Sequence, residues 1–135
     1  MTSPVTLAEA WARIALGEPD DLMLAEFLDS FYLASTLEEK ADSIRLEPPA
    51  TGNPRLDALA GAVAEYLARQ FLHDSAPAWA FQPCRYLEKP WHTAPAQAPA
   101  LIEYLTWASP AEFKSRNIFT DEQPLRRARR PQPIS

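Results

Sequence analysis

The chain has 135 residues, 47% hydrophobic and 23% charged, with fourteen prolines, three glycines and one cysteine. That length suits one domain with a single hydrophobic core, and the composition is that of a globular chain and not of a disordered one. Residues 125–135 carry four arginines and no acid, so the formal net charge of −5 leaves −9 on residues 1–124; a body this acidic repels phosphate backbones and suits a basic protein partner better than a nucleic-acid duplex.

Four helices are predicted in the first half. "TLAEAWARIALG" opens on a capping box, Thr6 with Glu9, turns Leu7, Trp11, Ile14 and Ala15 to one face, and stops at Gly17. "DDLMLAEFLDSFYLA" follows, capped by Asp20 or Asp21, with an apolar stripe of Leu24, Phe27, Leu28, Phe31 and Tyr32. "TLEEKADSIRLE" repeats the Thr-x-x-Glu start at Thr36 and Glu39, faces Leu37, Ala41 and Ile44 inward, and ends before Pro48-Pro49. "NPRLDALAGAVAEYLARQFLH" has Asn53 as cap and Pro54 in the first helical position. Its Leu56, Leu59, Ala60, Val63, Leu67 and Phe71 recur at helical spacing. Ala60, Gly61, Ala62 and Ala64 keep its middle thin, so a neighbouring helix is expected close by.

From Ser75 to Pro95 prolines break any long element while Trp79, Phe81, Tyr86 and Trp91 crowd together. A solvated linker carries no such aromatic surface, so this is an irregular packed crossover with a short turn around 78–87. "PALIEYLTWA" is a fifth helix with Leu101, Ile102, Leu105 and Trp107, ending before Ser109-Pro110. A last helix starts with Ser109 as cap, Pro110 in first position and Glu112 completing a capping box; Asn117 suits the left-handed residue at its end. Phe113 points to the core, and Ile118 and Phe119 clamp the chain onto the body. No repeat and no strand alternation is visible. The fold expected is all-α, a single-domain irregular bundle of five to six helices spanning residues 1–124, followed by a basic, flexible tail over 125–135.

Catalytic and metal chemistry find little support. His73 and His92 are the only histidines, and their spacing matches no metal-ligand pattern; no metal or other cofactor is expected. Cys84 lacks an orienting triad and is read as a small packed hydrophobe. The acidic pairs Asp20-Asp21 and Glu38-Glu39 sit at helix starts, where negative charge is favourable for structural reasons. Neither a phosphate-binding loop nor a dinucleotide fingerprint is present. An enzyme is not expected. Only the arginines Arg126, Arg127, Arg129 and Arg130 remain as a chemical signal, readable as a solubilising terminus, as a phosphate contact or as an anchor for an acidic protein surface. The lone cysteine, the lack of a signal peptide at the N-terminus and the absence of any run of about 18 apolar residues lead to an expectation of a cytoplasmic protein without membrane contact.

Within residues 78–119, "AWAFQPCRYLEKPWH" and then "ASPAEFKSRNIF" resemble a pattern of small helical bacterial proteins. It comprises an apolar-Trp segment, a Pro-Trp pair, and an ending of Ser-Pro-x-x-Phe, a basic run, Gly or Asn, Ile and Phe. Such segments look like the partner-binding part of antitoxin-like proteins encoded beside nucleotidyltransferase-type toxins. The resemblance implies a non-enzymatic partner that masks a toxin, and maps Trp91, Phe113, Arg116, Ile118 and Phe119 onto the motif as fold-defining or interface residues. The partner-binding set is therefore expected to comprise Trp79, Trp91, Phe113, Arg116, Phe119, Arg126, Arg127, Arg129 and Arg130. A nucleic-acid-associated accessory role through the arginine tail is the alternative. No separate DNA-binding domain precedes the helical body, so regulation of its own operon is not carried over.

Overall fold

Side-chain caps start three of the first four helices. The computed structural model describes residues 3–94 and 98–127. The Thr6 hydroxyl accepts from the Glu9 N–H at 3.0 Å and opens α1, Leu7–Ala15. Only half of the expected capping box forms, because the Glu9 carboxylate runs along the helix to Arg13 at 2.8 Å. Gly17 closes α1 with φ +109°, a conformation that costs glycine nothing. In α2, Asp20–Leu33, the cap position is Pro19 and not an aspartate; Asp20 and Asp21 lie in the first turn, where their charge still meets unpaired N–H groups. Before α3, Leu37–Arg45, Thr36 accepts from Glu39 N–H at 3.1 Å and Glu39 Oε2 reaches back to Ser35 N–H at 3.2 Å. Asn53 Oδ1 accepts from Arg55 N–H at 3.0 Å and opens α4, Pro54–Leu67.

The core gathers Leu7, Ala10, Trp11 and Ile14 of α1, Met23, Phe27, Leu28 and Phe31 of α2, Ile44 of α3 and the middle of α4. The buried face of α1 thus runs 7, 10, 11, 14, and Ala15, expected inward, is exposed one residue beyond it. Leu37 is also exposed, as the first residue of α3, where the inward positions are Ser43 and Ile44. Trp11 is fully buried and donates its Nε1–H to the Leu56 carbonyl at 2.9 Å, joining α1 to α4.

Helix α4 is buried on nearly every side from Ala60 to Ala64. A Cβ on Gly61 would lie 2.9 Å from Arg85 Cβ and 3.1 Å from the Ala80 carbonyl oxygen. The element that comes close to the thin middle of α4 is therefore the aromatic crossover. It approaches through two tight turns, Ala78–Phe81 and Pro83–Arg85. Past Leu67, α4 widens into a π-helical turn, Ala68–Leu72, and stops at His73 in the left-handed region with φ 50°.

A parallel pair missed in the sequence closes the crossover. β1, Trp91–His92, lies beside β2, Ile118–Phe119, with Trp91 opposite Ile118 and His92 opposite Phe119. Two-residue strands are too short to show a period. Between them run α5, Pro99–Ala108, and α6, Ala111–Lys114. Ser109 does not cap α6. Its hydroxyl is buried between the two elements, within reach of the Leu105 and Thr120 carbonyls at 2.5 and 3.0 Å, and accepts from Thr120 N–H at 2.8 Å. Glu112 is likewise no capping-box member; it is buried and paired with Arg69 at 3.2 Å. Asn117 is left-handed as expected, φ 64°, and Ile118 is fully buried.

The body continues beyond residue 124. Leu125 is buried and its carbonyl accepts from the Tyr32 hydroxyl at 2.9 Å, while Arg127 pairs with Asp29 at 2.9 Å. Leu125 and Arg127, expected in the tail, thus contact α2. The result is an all-α irregular bundle of six helices among the described residues, with one two-stranded parallel pair. None of the described helices is long and apolar enough to cross a membrane.

Candidate partner-binding surface

Arg116 sits where α6, α4 and the crossover meet, with 0% exposure. Its Nη1 donates to Glu65 Oε1 at 2.5 Å and to the Glu112 carbonyl at 2.8 Å; its Nη2 donates to the Ala80 carbonyl at 2.7 Å. The Tyr86 ring lies 4.7 Å and the Phe81 ring 5.7 Å from the guanidinium carbon. Nε faces Gly61 and has no hydrogen-bond partner among the described residues. A guanidinium enclosed in this way organises the fold and presents nothing to a partner. Phe113, 5.8 Å from Tyr66 in edge contact, is buried beside it.

Trp79 is interior too. Its Nε1–H donates to the Ile44 carbonyl at 3.1 Å and Arg85 lies over its face at 5.1 Å. Arg85 is itself buried, held by the Asp57 and Pro48 carbonyls at 3.2 and 2.9 Å, and has no carboxylate partner among the described residues. Arg85 therefore ties the 46–53 loop, α4 and the crossover together. Its role was not visible in the sequence, since burial of an arginine follows from carbonyls brought together only by folding.

The other expected residues divide. Trp91 and Phe119 are half-buried on the parallel pair, Trp91 under Arg55 at 5.3 Å and Phe119 stacked on His92 at 5.0 Å. Arg126 is exposed and donates to Gln123 at 3.2 Å. Arg127 is held against Asp29, and that hydrogen bond keeps its guanidinium above the ordinary pKa. Arg129 and Arg130 lie outside the described residues.

Two tyrosines frame the end of the bundle. Burial pushes the Tyr32 hydroxyl up to about 12, with a smaller contribution from Tyr66. Tyr66 is also raised, first by burial and then by Glu112 and Asp121. Tyr32 packs edge-on against Phe31 and Phe71, with centroids 5.6 and 5.3 Å away, and Phe71 lies at the rim of the core. An open cleft of about 570 Å³ beside the π turn is lined by Glu65, Arg69, His73, Asp74, Ser75, Ala76 and Phe81. Two of its charged groups, Glu65 and Arg69, are already paired with Arg116 and Glu112. Among the described residues, no three His, Cys, Asp or Glu side chains converge as metal ligands would.

The most open aromatic surface is on α5. Trp107 is 79% exposed and Tyr104 49% exposed. Leu105 is the buried residue of α5, and Leu101 and Ile102 are half-buried. The signal was present in the sequence: Leu101, Ile102, Tyr104, Leu105 and Trp107 spread over more of a helix than one face provides. Which of them stays outside depends on where the body lies. The chain matches no protein-family model, no curated protein and no solved structure.

Proposed function

We propose that this protein is a non-enzymatic binding module that covers a surface of another protein, in the manner of the antitoxin-like proteins whose pattern residues 78–119 resemble. The observation that carries the reading is the open aromatic pair Tyr104 and Trp107 on α5. Large aromatic side chains left in water are the usual anchors of protein interfaces. An acidic body adds attraction toward a basic partner and speeds encounter with it.

The test is recovery of the tagged full chain from its native cells under mild conditions. A single protein recovered in stoichiometric amount, which arrests growth when expressed without this chain, supports the reading. Recovery of no stoichiometric protein overturns it. Salt-sensitive binding of DNA or RNA that disappears on deletion of residues 125–135 favours instead a nucleic-acid accessory role for the arginine tail.

A further inference from the structure

We infer that α5 is an anchor helix that seats Tyr104 and Trp107 in an apolar groove of a protein partner, with a basic side chain of that partner opposite Glu103; this rests on the binding-module reading above. Ala100, Glu103, Tyr104 and Trp107 follow the spacing i, i+3, i+4, i+7, which places them in one row along the helix. All four are exposed. The same ten residues turn Leu105 into the body. The helix thus buries Leu105 on one face and shows two large aromatic side chains on another. Aromatic anchors at this spacing are what partner grooves read when they bind an amphipathic helix.

Charge and size distinguish a groove from a second copy of this chain. Glu103 is the single charged residue of α5, lies mid-row beside Tyr104, and has no ion pair among the described residues. In a two-fold pairing of α5 with itself the middle of each row meets the middle of the other, which brings the two Glu103 carboxylates together and costs stability. A helix of ten residues is about 15 Å long. One flat row of that length buries far less than the about 800 Å² per partner of a stable interface. A groove that closes around both sides of the helix gains the missing area, and a Lys or Arg at its rim satisfies Glu103.

The experiment places a photo-crosslinking amino acid at Tyr104 of the full chain in native cells, with the exposed Ser115 as control position. The expected result is one dominant adduct to another protein, absent from the control, with the linked peptide mapping to an apolar groove that carries Lys or Arg at its rim. Glu103→Lys lowers the adduct yield by at least about tenfold, since a like charge replaces an attraction, and Glu103→Gln lowers it less. Trp107→Ala abolishes it without changing the melting temperature. Adducts to a second copy of this chain, adducts shared with the control, or a yield indifferent to Glu103→Lys overturn the inference. If the stoichiometric partner is still recovered with Tyr104 and Trp107 both changed to Ala, the binding-module reading stands and the α5 assignment falls.

Discussion

Arg116 and Glu65, 51 residues apart in sequence, meet at 2.5 Å with the guanidinium fully buried. The pair joins the α6 turn to the last turn of α4, and the Ala80 carbonyl brings the crossover into the same contact. Removing one partner of a buried ion pair leaves the other uncompensated, at a cost of about 3–5 kcal/mol. Arg116→Leu is expected to lower stability by that amount in urea unfolding, with the slope unchanged. A loss below about 1 kcal/mol would show that Glu65 finds water or another donor.

Gly61→Ala reverses the usual helix preference. Alanine is favoured over glycine in a helix interior by about 1 kcal/mol. Here the new methyl meets Arg85 Cβ at 2.9 Å, Arg116 Nε at 3.0 Å and the Ala80 oxygen at 3.1 Å. None of these is the free end of a flexible chain, so overpacking wins and the variant loses about 1–3 kcal/mol. Thermal unfolding checks this, and an unchanged or raised melting temperature contradicts it.

Tyr32 makes stability depend on alkaline pH. Its hydroxyl is raised from 10.0 to about 12 in the fold, so the folded state retains a proton that the unfolded chain has lost between those values. The stabilisation is complete below pH 10 and is lost as pH rises toward 12. Tyr32→Phe removes the hydrogen bond to the Leu125 carbonyl, at about 1 kcal/mol near neutrality, and should flatten the decline between about pH 10 and 12. Urea titrations of both proteins at pH 8 and pH 11 measure the difference; equal slopes would refute the assignment. Tyr66, raised as well, accounts for part of any slope that remains.

The C-terminal contact is held by an apolar side chain more than by its ion pair. Arg127 and Asp29 meet in solvent, and an exposed pair contributes at most about 1 kcal/mol. Leu125 is buried, and Leu→Ala in a core costs about 2–5 kcal/mol. Asp29→Asn is thus expected to change the urea midpoint little and Leu125→Ala to lower it clearly. The opposite order would place the attachment in the charge pair.

Trp107 and Trp11 form an internal control for the open surface. Trp107→Ala should alter stability by less than about 0.5 kcal/mol, and Trp11→Ala by about 3–5 kcal/mol. Iodide quenching of the native protein should fall once Trp107 is replaced by Phe, because Trp11 is fully enclosed and Trp79 nearly so. Undiminished quenching would mean that Trp107 is covered in solution.

The sequence by itself determined the helices and their ends. Thr6, Thr36 and Asn53 bond to N–H groups two or three residues away, and Gly17 and Asn117 take their left-handed turns from local backbone preference. These are short-range effects, so the chain order carries them. Capping failed where a longer-range demand prevailed: Ser109 was drawn to the Thr120 carbonyl and N–H, and Glu112 to Arg69. The two-residue strands have no period to read.

Tertiary structure alone decided which charges and rings lie inside. Arg116 and Arg85 look like surface residues until carbonyls from Ala80, Glu112, Asp57 and Pro48 surround them. Trp79 and Trp107 look alike in sequence, yet one is buried against α3 and the other stands in water. A tryptophan's burial depends on what faces it, and that is fixed only when elements distant in the chain pack together. The large aromatic side chains most open to water, Tyr104 and Trp107, are on α5.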